Sequence, residues 1–242
     1  MISVCIATYN GEKYIKEQLD SILSQLSADD EIVISDDCST DNTLMIIESI
    51  CDSRIKIFHH KAADGPSHIK VTKNFENALL HAKGDFLFMA DQDDIWTSDK
   101  IRISMEYLQN YDYVVSDCLV TDCNLNVIND TRFFTNSGIT KSRWKALFKP
   151  TPYQGSCAAF KRCVLLKATP FPVGIQSHDR WIGYVASFFF SYKIIEEKLI
   201  YYRRHDNNVS TTLNGSKNST INKVKTRFKY IIELIKLSFR HG

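Results

Sequence analysis

The chain has 242 residues, of which 44% are hydrophobic and 24% charged, and its formal net charge is +2. This length allows one large domain with a proper core, and the composition is ordinary for a soluble globular protein. The seven cysteines are scattered without a C-x-x-C pair, which argues against a disulfide framework and against a zinc site. We expect no nucleic acid among the partners.

Two further patterns concern the cellular compartment in which the protein works. The N-terminus begins at once with a strand-like run, "ISVCIA" at 2–7, and lacks the features of a signal peptide. The longest apolar-rich stretch, "WIGYVASFFF" at 181–190, has about half of the roughly 20 residues that a membrane-spanning helix needs. The sequence therefore predicts a cytoplasmic protein.

The first ninety residues alternate apolar runs with helical patterns. Strands are predicted at 2–7, 31–35, 54–58 and 85–90, and helices at 12–24, 42–51 and 71–82. Ser39 is a candidate N-cap of the second helix. Strands that alternate with helices predict an α/β fold, with a mostly parallel sheet and helices on both faces.

Polar clusters follow three of these strands. They are "TYN" at 8–10, "DD" at 36–37 and "DQDD" at 91–94. Because the carboxyl ends of parallel strands meet at one edge of the sheet, where ligands bind, we expect the clusters to lie together. The alternative for 91–94 is a solvated acidic turn before the next helix, but that does not explain three clusters on one edge.

This acidic edge suits a phosphate ligand together with a divalent cation. Neither G-x-G-x-x-G nor a P-loop sequence occurs, so the sequence supports neither a dinucleotide-binding fold nor a P-loop. An acidic edge suits a phosphate ligand if a cation lies between them. Mg²⁺ and Mn²⁺ take carboxylate oxygens and share the rest of their coordination with a diphosphate.

Four segments in order resemble glycosyltransferase family 2: "SVCIATYNGEKYIKEQLDSILSQ", "EIVISDDCSTDNT", "GDFLFMADQDDIW" and "SHDRW". The resemblance covers roughly residues 1–210. It implies a Rossmann-like GT-A fold, with a nucleotide-binding half at 1–95 and an acceptor half at 96–210. The "DQDD" and "YRxH" segments are similar to those of rhamnosyl- and galactosyltransferases that build bacterial cell-surface polysaccharides. Such enzymes use nucleotide-diphosphate sugars and usually invert the anomeric centre.

The resemblance implies roles for residues on the nucleotide side. Thr8 and Tyr9 match the turn that lies against the pyrimidine base, and Asp37 matches the carboxylate that accepts from the base N3–H. Lys73 stands where the family often has a basic residue near the nucleotide. For Tyr9, simple packing at the sheet edge is the alternative.

The resemblance also implies a site for Mn²⁺ or Mg²⁺. Asp91 and Asp93 match the ends of the D-x-D motif, with Asp91 nearer the ribose and Asp93 as a metal ligand. Asp94 is an extra acid without an assigned role. His205, in "YYRRHDNNVS", is expected to bind the metal or the diphosphate, although a structural histidine is the alternative.

The part after residue 96 is less regular. Strands are predicted at 113–116 and 156–160, with loops between them, including 132–138, and a short helix near Trp144. This part should determine acceptor specificity.

An apolar helix is predicted after Ser177, its candidate N-cap, and Asp179 falls in the first turn. By resemblance, Asp179 matches the catalytic base that takes the proton of the acceptor hydroxyl. Trp181 beside it is expected to support the sugar or the acceptor. The alternative for Asp179 is a carboxylate that complements the helix dipole.

The last predicted element is a basic amphipathic helix at 217–242. Its apolar residues recur at spacings of three and four, and its net charge of +6 leaves −4 for the preceding 216 residues. Such a helix can lie on an anionic membrane surface, so we expect peripheral contact with the cytoplasmic face of the inner membrane. The alternative is a helix that packs back on the domain.

The sequence as a whole predicts a metal-dependent, inverting glycosyltransferase. It would move a sugar from a UDP- or dTDP-sugar to a growing, lipid-linked bacterial glycan. A sugar-phosphate nucleotidyltransferase is one alternative, but "TYNGEKYI" lacks the Gly-rich, basic loop that a triphosphate needs. A non-catalytic sugar-nucleotide-binding protein is the other, and the intact D-x-D and Asp179 argue against it.

Overall fold

The computed structural model describes residues 1–61, 65–131, 140–205 and 220–239. In chain order the strands are β1 (Ile2–Thr8), β2 (Glu31–Asp36), β3 (Ile55–His59), β4 (Phe86–Asp91), β5 (Ile95–Trp96), β6 (Tyr113–Thr121), β7 (Val127–Asn129), β8 (Ala158–Lys161) and β9 (Tyr192–Arg203). The helices are α1 (Ile15–Leu23), α2 (Thr43–Ser49), α3 (Ser67–His81), α4 (Lys100–Leu108), α5 (Arg143–Ala146), α6 (Arg162–Ala168), α7 (His178–Phe189) and α8 (Thr220–Phe239). A 3-10 turn spans Gly155–Cys157.

The first part of the sheet has the predicted parallel topology. Strands β3, β2, β1 and β4 lie side by side in this order, and all three pairings are parallel. Almost every residue of β1 and β2 is buried, as expected for strands covered on both faces. The carboxyl ends of β1, β2 and β4 therefore lie next to one another, and we refer to them as the carboxyl edge of the sheet.

The second part of the sheet is mixed rather than parallel. Strand β8 lies antiparallel between β4 and β6, β9 runs parallel to β6, and β5 pairs antiparallel with β9. The apolar pattern of a strand indicates burial but not direction, so sequence alone could not give this order. The fold is α/β, with one continuous sheet surrounded by helices. The sheet contains strands from both predicted halves of the chain, 1–95 and 96–210.

Two predicted helix starts have different outcomes. The prediction of Ser39 as an N-cap is wrong, because α2 has Asn42 at its N-cap and the Ser39 hydroxyl donates to Asp36 Oδ1 at 2.6 Å. Ser177 does occupy the N-cap position of α7. Its hydroxyl donates to the Asp179 carboxylate rather than accepting from a backbone N–H.

The C-terminal helix α8 has two apolar sides. Tyr230, Leu234 and Leu237 are buried against the domain, and the Tyr230 ring lies 5.2 Å from the Tyr184 ring of α7. The α8 stripe, by which we mean the exposed apolar residues of this helix, comprises Val224, Phe228, Ile232, Ile235 and Phe239. The helix thus packs on the fold and still presents apolar surface. Within the described ranges, no helix combines the length and apolar character that crossing a membrane requires.

Candidate active site

Two loops at the carboxyl edge are tied together by side-chain hydrogen bonds. Asn10 adopts the left-handed region with φ 49°, which an Asn tolerates, and its backbone N–H donates to Ser39 Oγ at 2.9 Å. The side-chain oxygen of Asn10, Oδ1, accepts from the Thr40 N–H at 2.8 Å. Asp41 Oδ2 accepts from the Glu12 N–H at 3.1 Å. The loops after β1 and β2 are thereby held as one rigid unit.

The two aspartates of "DD" have different surroundings. Asp36 is fully buried and accepts from Thr8 Oγ1 at 2.9 Å, so both side chains are engaged inside the protein. Thr8 is also fully buried, which corrects its predicted contact with the base. Its backbone oxygen accepts from the Asp37 N–H at 3.0 Å. Thr8 therefore positions Asp37, which is only partly buried at the carboxyl edge.

Tyr9 points away from the core, with 56% of its surface exposed, so packing at the sheet edge does not explain it. Gln92 fixes the Tyr9 backbone: its Oε1 accepts from the Tyr9 N–H at 2.9 Å and its Nε2 donates to the Tyr9 oxygen at 3.0 Å. A Cβ at Gly11 would lie 2.4 Å from Gln92 Oε1, so a larger residue there would displace the Gln92 amide. Sequence reasoning missed Gln92, whose only signal was its place inside the D-x-D motif.

Asp91 ends β4, and its backbone oxygen accepts from Gln18 Nε2 at 2.9 Å. The predicted nucleotide contact at Lys73 is less direct. The Lys73 ammonium lies 2.6 Å from the carboxylate of Glu76, which is buried and also accepts from the Phe171 N–H at 2.5 Å. Lys73 is thus already paired, although its side chain is 40% exposed.

Asp93 and His205, the two predicted metal ligands, lie next to each other. His205 Nε2 lies 2.9 Å from Asp93 Oδ2, although the two residues are 112 positions apart in sequence. Both side chains are mostly buried, and the His205 ring lies 4.9 Å from the Tyr14 ring. A carboxylate oxygen and an imidazole nitrogen are both suitable ligands for Mn²⁺. Among the described residues, no cluster of three or more His, Cys, Asp or Glu side chains could hold a metal.

Asp94, the extra acid of "DQDD", points into the protein and is fully buried. Its Oδ1 accepts from the Arg203 N–H at 3.0 Å, whereas its Oδ2 is buried without a hydrogen-bond partner. Burial, together with the negative charges of Asp93 and Asp91, raises the pKa of Asp94 well above its usual range. Asp94 therefore connects the acidic turn to the end of β9, two residues before His205.

Lys100 is a second buried ionisable group beneath the acidic turn. Burial lowers the pKa of its ammonium to about 8, while nearby Asp94 opposes the change. Its Nζ donates to the Ser156 oxygen at 3.0 Å and lies 4.9 Å from the centre of the Trp96 ring. Lys100 thus ties the start of α4 to the 3-10 turn.

Asp179 lies in the first turn of α7 and is partly buried. Its Oδ1 accepts from the Ser177 hydroxyl and from the Arg180 N–H at 2.7 Å. The 3-10 turn runs alongside, since a Cβ at Gly155 would lie 3.5 Å from Asp179 Cβ. The same turn therefore contacts both Asp179 and Lys100, and it links the candidate base to the acidic side of the site.

The structure corrects the prediction for Trp181. Its side chain is 1% exposed, and its indole N–H donates to the Ala168 oxygen at 2.8 Å. The ring is a core residue between α6 and α7 and has no free face for a sugar or an acceptor. The predicted loop at 132–138 and residues 206–210 lie outside the described residues.

Comparison with known sequences identifies the chain as similar to glycosyltransferases. The family model described as Glycosyl transferase family 2 matches residues 3–168. A UDP-Glc:alpha-D-GlcNAc-diphosphoundecaprenol beta-1,3-glucosyltransferase, WfgD of Escherichia coli, is 32% identical over 51% of this chain and 48% of its own. The dTDP-rhamnosyl transferase RfbG of Shigella flexneri is 42% identical over 43% of this chain and 36% of its own. In these two alignments the chain spans half or less of the relative's length.

Comparison with solved structures supports the same fold. TarS 1-349 of S. aureus in complex with UDP-GlcNAc has a TM-score of 0.71 and 21% identity, over 97% of this chain and 66% of that one. The mannosyltransferase PcManGT from Pyrobaculum calidifontis, in complex with GDP-Man and Mn²⁺, has a TM-score of 0.56 and 20% identity, over 100% and 64%. At these identities the likeness shows the fold, which is GT-A.

Proposed function

Because this chain belongs to glycosyl transferase family 2, we propose that it transfers a sugar from a UDP- or dTDP-sugar to a saccharide of a bacterial surface glycan. The observation that carries the proposal is the contact between Asp93 and His205 at the carboxyl edge of the sheet. The names of WfgD and RfbG, which specify UDP-Glc and a dTDP-rhamnosyl donor, support these two donor classes.

The donor binds at the carboxyl edge through residues of the first half of the chain, 1–95. The exposed Tyr9 ring offers a flat apolar face to the base, and stacking of a base on an aromatic ring stabilises binding by about 1–3 kcal/mol. Asp37 accepts from the base N3–H, and Asp91 accepts from a ribose hydroxyl. Lys73 approaches the nucleotide only when it gives up its contact with Glu76.

Asp93 and His205 hold Mn²⁺ or Mg²⁺ in this proposal. When bound, the ion stabilises the negative charge of the leaving diphosphate. The presence of Mn²⁺ in the PcManGT complex supports the choice of metal. Asp94 accepts from the Arg203 N–H and so ties the acidic turn to the end of β9, close to His205.

Asp179 is the catalytic base, and the acceptor half of the chain, 96–210, supplies it. The acceptor hydroxyl oxygen attacks C1 of the donor sugar from the face opposite the diphosphate, and its proton passes to Asp179. The bond between C1 and the diphosphate oxygen breaks at the same time, so UDP or dTDP leaves and the anomeric centre inverts. The Ser177 hydroxyl and the Arg180 N–H hold the carboxylate in position.

The acceptor is lipid-linked in this proposal, and the protein works at the cytoplasmic face of the inner membrane. The name of WfgD specifies a saccharide on diphosphoundecaprenol, which supports such an acceptor. The α8 stripe and the cations of the same helix, such as Lys225 and Lys229, offer surface for an anionic membrane.

A turnover assay with a panel of UDP- and dTDP-sugars and a saccharide-diphosphate acceptor tests the proposal. We expect a glycosylated acceptor and one nucleoside diphosphate per transfer, with one preferred donor. Asp179→Asn should abolish most of this turnover, whereas Asp20→Asn, on the exposed side of α1, should not. Release of pyrophosphate from a nucleoside triphosphate and a sugar phosphate would instead show a nucleotidyltransferase. Tight donor binding without turnover on any acceptor would indicate a binding protein.

A further inference from the structure

A short segment on the surface, 141–149, combines aromatic and cationic side chains. Its sequence "KSRWKALFK" has four Lys or Arg and no acidic residue. Only Ala146 and Leu147 are buried, whereas Trp144 is 67% exposed and Phe148 is 57% exposed. Large aromatic side chains are rarely left in water without a reason when they lie together. Neither the proposed catalytic residues nor the donor site uses this segment.

The exposure of Trp144 is imposed by the fold. Helix α5 has four residues and is too short to be stable alone, but α7 fixes it at three points. Tyr184 Oη donates to the Ala146 oxygen at 3.0 Å, and Arg143 Nη1 donates to the Ser187 oxygen at 2.9 Å. The Trp144 ring lies edge-to-face on the Phe188 ring, with centroids 5.0 Å apart. The contacts with α7 therefore fix the position of the segment on the surface.

The segment lies close to the C-terminal helix. Tyr184, whose hydroxyl contacts α5, also packs its ring 5.2 Å from the Tyr230 ring of α8. Packed helices are about 8–10 Å apart, so the 141–149 segment and α8, which both contact α7 at Tyr184, are within roughly 20 Å of each other.

We propose that the 141–149 segment is a lipid-contact site, separate from α8, that binds an anionic membrane surface. Trp and Phe side chains partition into the headgroup region of a bilayer, where an aromatic ring meets both apolar and polar groups. Arg143, Lys145 and Lys149 provide positive charge next to these rings, complementary to lipid phosphates. Lys141 contributes less, because it is paired with Glu196 at 2.9 Å. This contact would orient the acceptor half toward the membrane, independently of which sugar the enzyme transfers.

Tryptophan fluorescence gives a direct test, because the other two tryptophans are buried. Trp96 is 3% exposed and Trp181 is 1% exposed, so only Trp144 can meet lipid in the folded protein. We expect vesicles with anionic, brominated lipids to quench the emission of the full-length protein, and neutral vesicles to quench it much less. Trp144→Phe should remove the quenching while retaining vesicle binding. If the full-length protein sediments with anionic vesicles and its emission is not quenched, the proposal is wrong and α8 acts alone.

A charge variant with a matched control tests the cationic part. Lys145→Gln with Lys149→Gln should weaken vesicle binding roughly 25-fold, about fivefold per lysine, which corresponds to about 1 kcal/mol each. Lys16→Gln with Lys56→Gln removes the same charge from α1 and β3 and should change binding little. Equal weakening by both pairs would overturn the proposal. So would loss of activity on a soluble acceptor in Trp144→Phe, because the segment would then contact the acceptor.

Discussion

Gln92 and Tyr9 exchange two hydrogen bonds across the carboxyl edge of the sheet, at 2.9 and 3.0 Å, although 83 residues separate them. The side chain in the middle of the acidic motif thus holds the backbone of the turn that presents the Tyr9 ring. Each such bond contributes about 0.5–1.5 kcal/mol. The acidic turn after β4 therefore has a second task besides supplying carboxylates, which is to orient the loop after β1.

Gly11→Ala should disrupt this contact, because its Cβ would lie 2.4 Å from Gln92 Oε1 and displace the amide. We expect UDP or dTDP to bind about tenfold more weakly, as measured by calorimetry. Gln92→Ala should have a similar effect for a different reason, the loss of both hydrogen bonds. The double variant should be no worse than Gln92→Ala alone, since the clash is then absent. Additive losses would show that Gly11 acts independently of Gln92.

Metal dependence can be measured without turnover. If Asp93 and His205 hold the cation, UDP or dTDP should bind much more tightly with Mn²⁺ or Mg²⁺ than with EDTA. Asp93→Asn and His205→Gln should remove most of this difference and leave the weak, metal-free affinity unchanged. Asp20→Asn provides the control for a lost carboxylate. Equal affinity of the unmodified protein with metal and with EDTA would refute the metal assignment.

Asp179→Asn should lower kcat by roughly 10²–10⁴-fold, the usual share of a general base. Donor affinity should stay nearly the same, because the proposed donor contacts lie on other elements. Ser177→Ala removes a hydroxyl that donates to Asp179 and should lower kcat less. Normal turnover at saturating donor, combined with weaker donor binding, would make Asp179 a binding residue instead.

The buried Lys100 predicts a pH dependence of stability. Its pKa is lowered from 10.5 to about 8 in the folded protein, so between these values the unfolded chain binds more protons. The contribution of Lys100 to the free energy of unfolding should therefore increase as pH rises from 8 to 10.5, by up to roughly 3 kcal/mol. Lys100→Met should lack this increase. Urea unfolding of both proteins at several pH values measures the difference, and parallel curves would contradict it.

The two sides of α8 should respond differently to substitution. Phe228→Ser with Ile235→Ser changes only exposed positions, so it should weaken sedimentation with anionic vesicles and leave the melting temperature nearly unchanged. Leu234→Ala removes buried surface and should lower the free energy of unfolding by about 2–4 kcal/mol. Deleting 217–242 should also destabilise the protein, because it uncovers the surface under Tyr230 and Leu234. Vesicle binding of the exposed-side variant equal to that of the unmodified protein would exclude a membrane role for the stripe.

Sequence patterns predicted the local elements well where one periodicity dominates. The strands at 2–7, 31–35, 54–58 and 85–90 appear with ends shifted by one residue at most. The helix at 71–82 begins four residues earlier, at Ser67, where Pro66 occupies the N-cap. The polar first turn carries no apolar periodicity that would reveal this earlier start.

Only the tertiary structure decided which of the polar residues are exposed at the carboxyl edge. Periodicity placed "DD" and "DQDD" at the ends of strands, but neighbours from distant segments buried Asp36 and Asp94 and left Asp37 at the edge. Trp181 was predicted to support the sugar or the acceptor because it stands beside Asp179, but the packing of α6 on α7 buries its ring.

The sequence by itself determined the carboxyl edge, because strand ends follow from patterns that span a few residues. It could not determine that Asp93 meets His205 or that Gln92 holds Tyr9, because those contacts join positions 112 and 83 residues apart. The first contact depends on β9 returning to pair with β5, and the second on the parallel pairing of β1 with β4. Long-range pairing of this kind is selected by the packing of the whole sheet, and no local pattern encodes it.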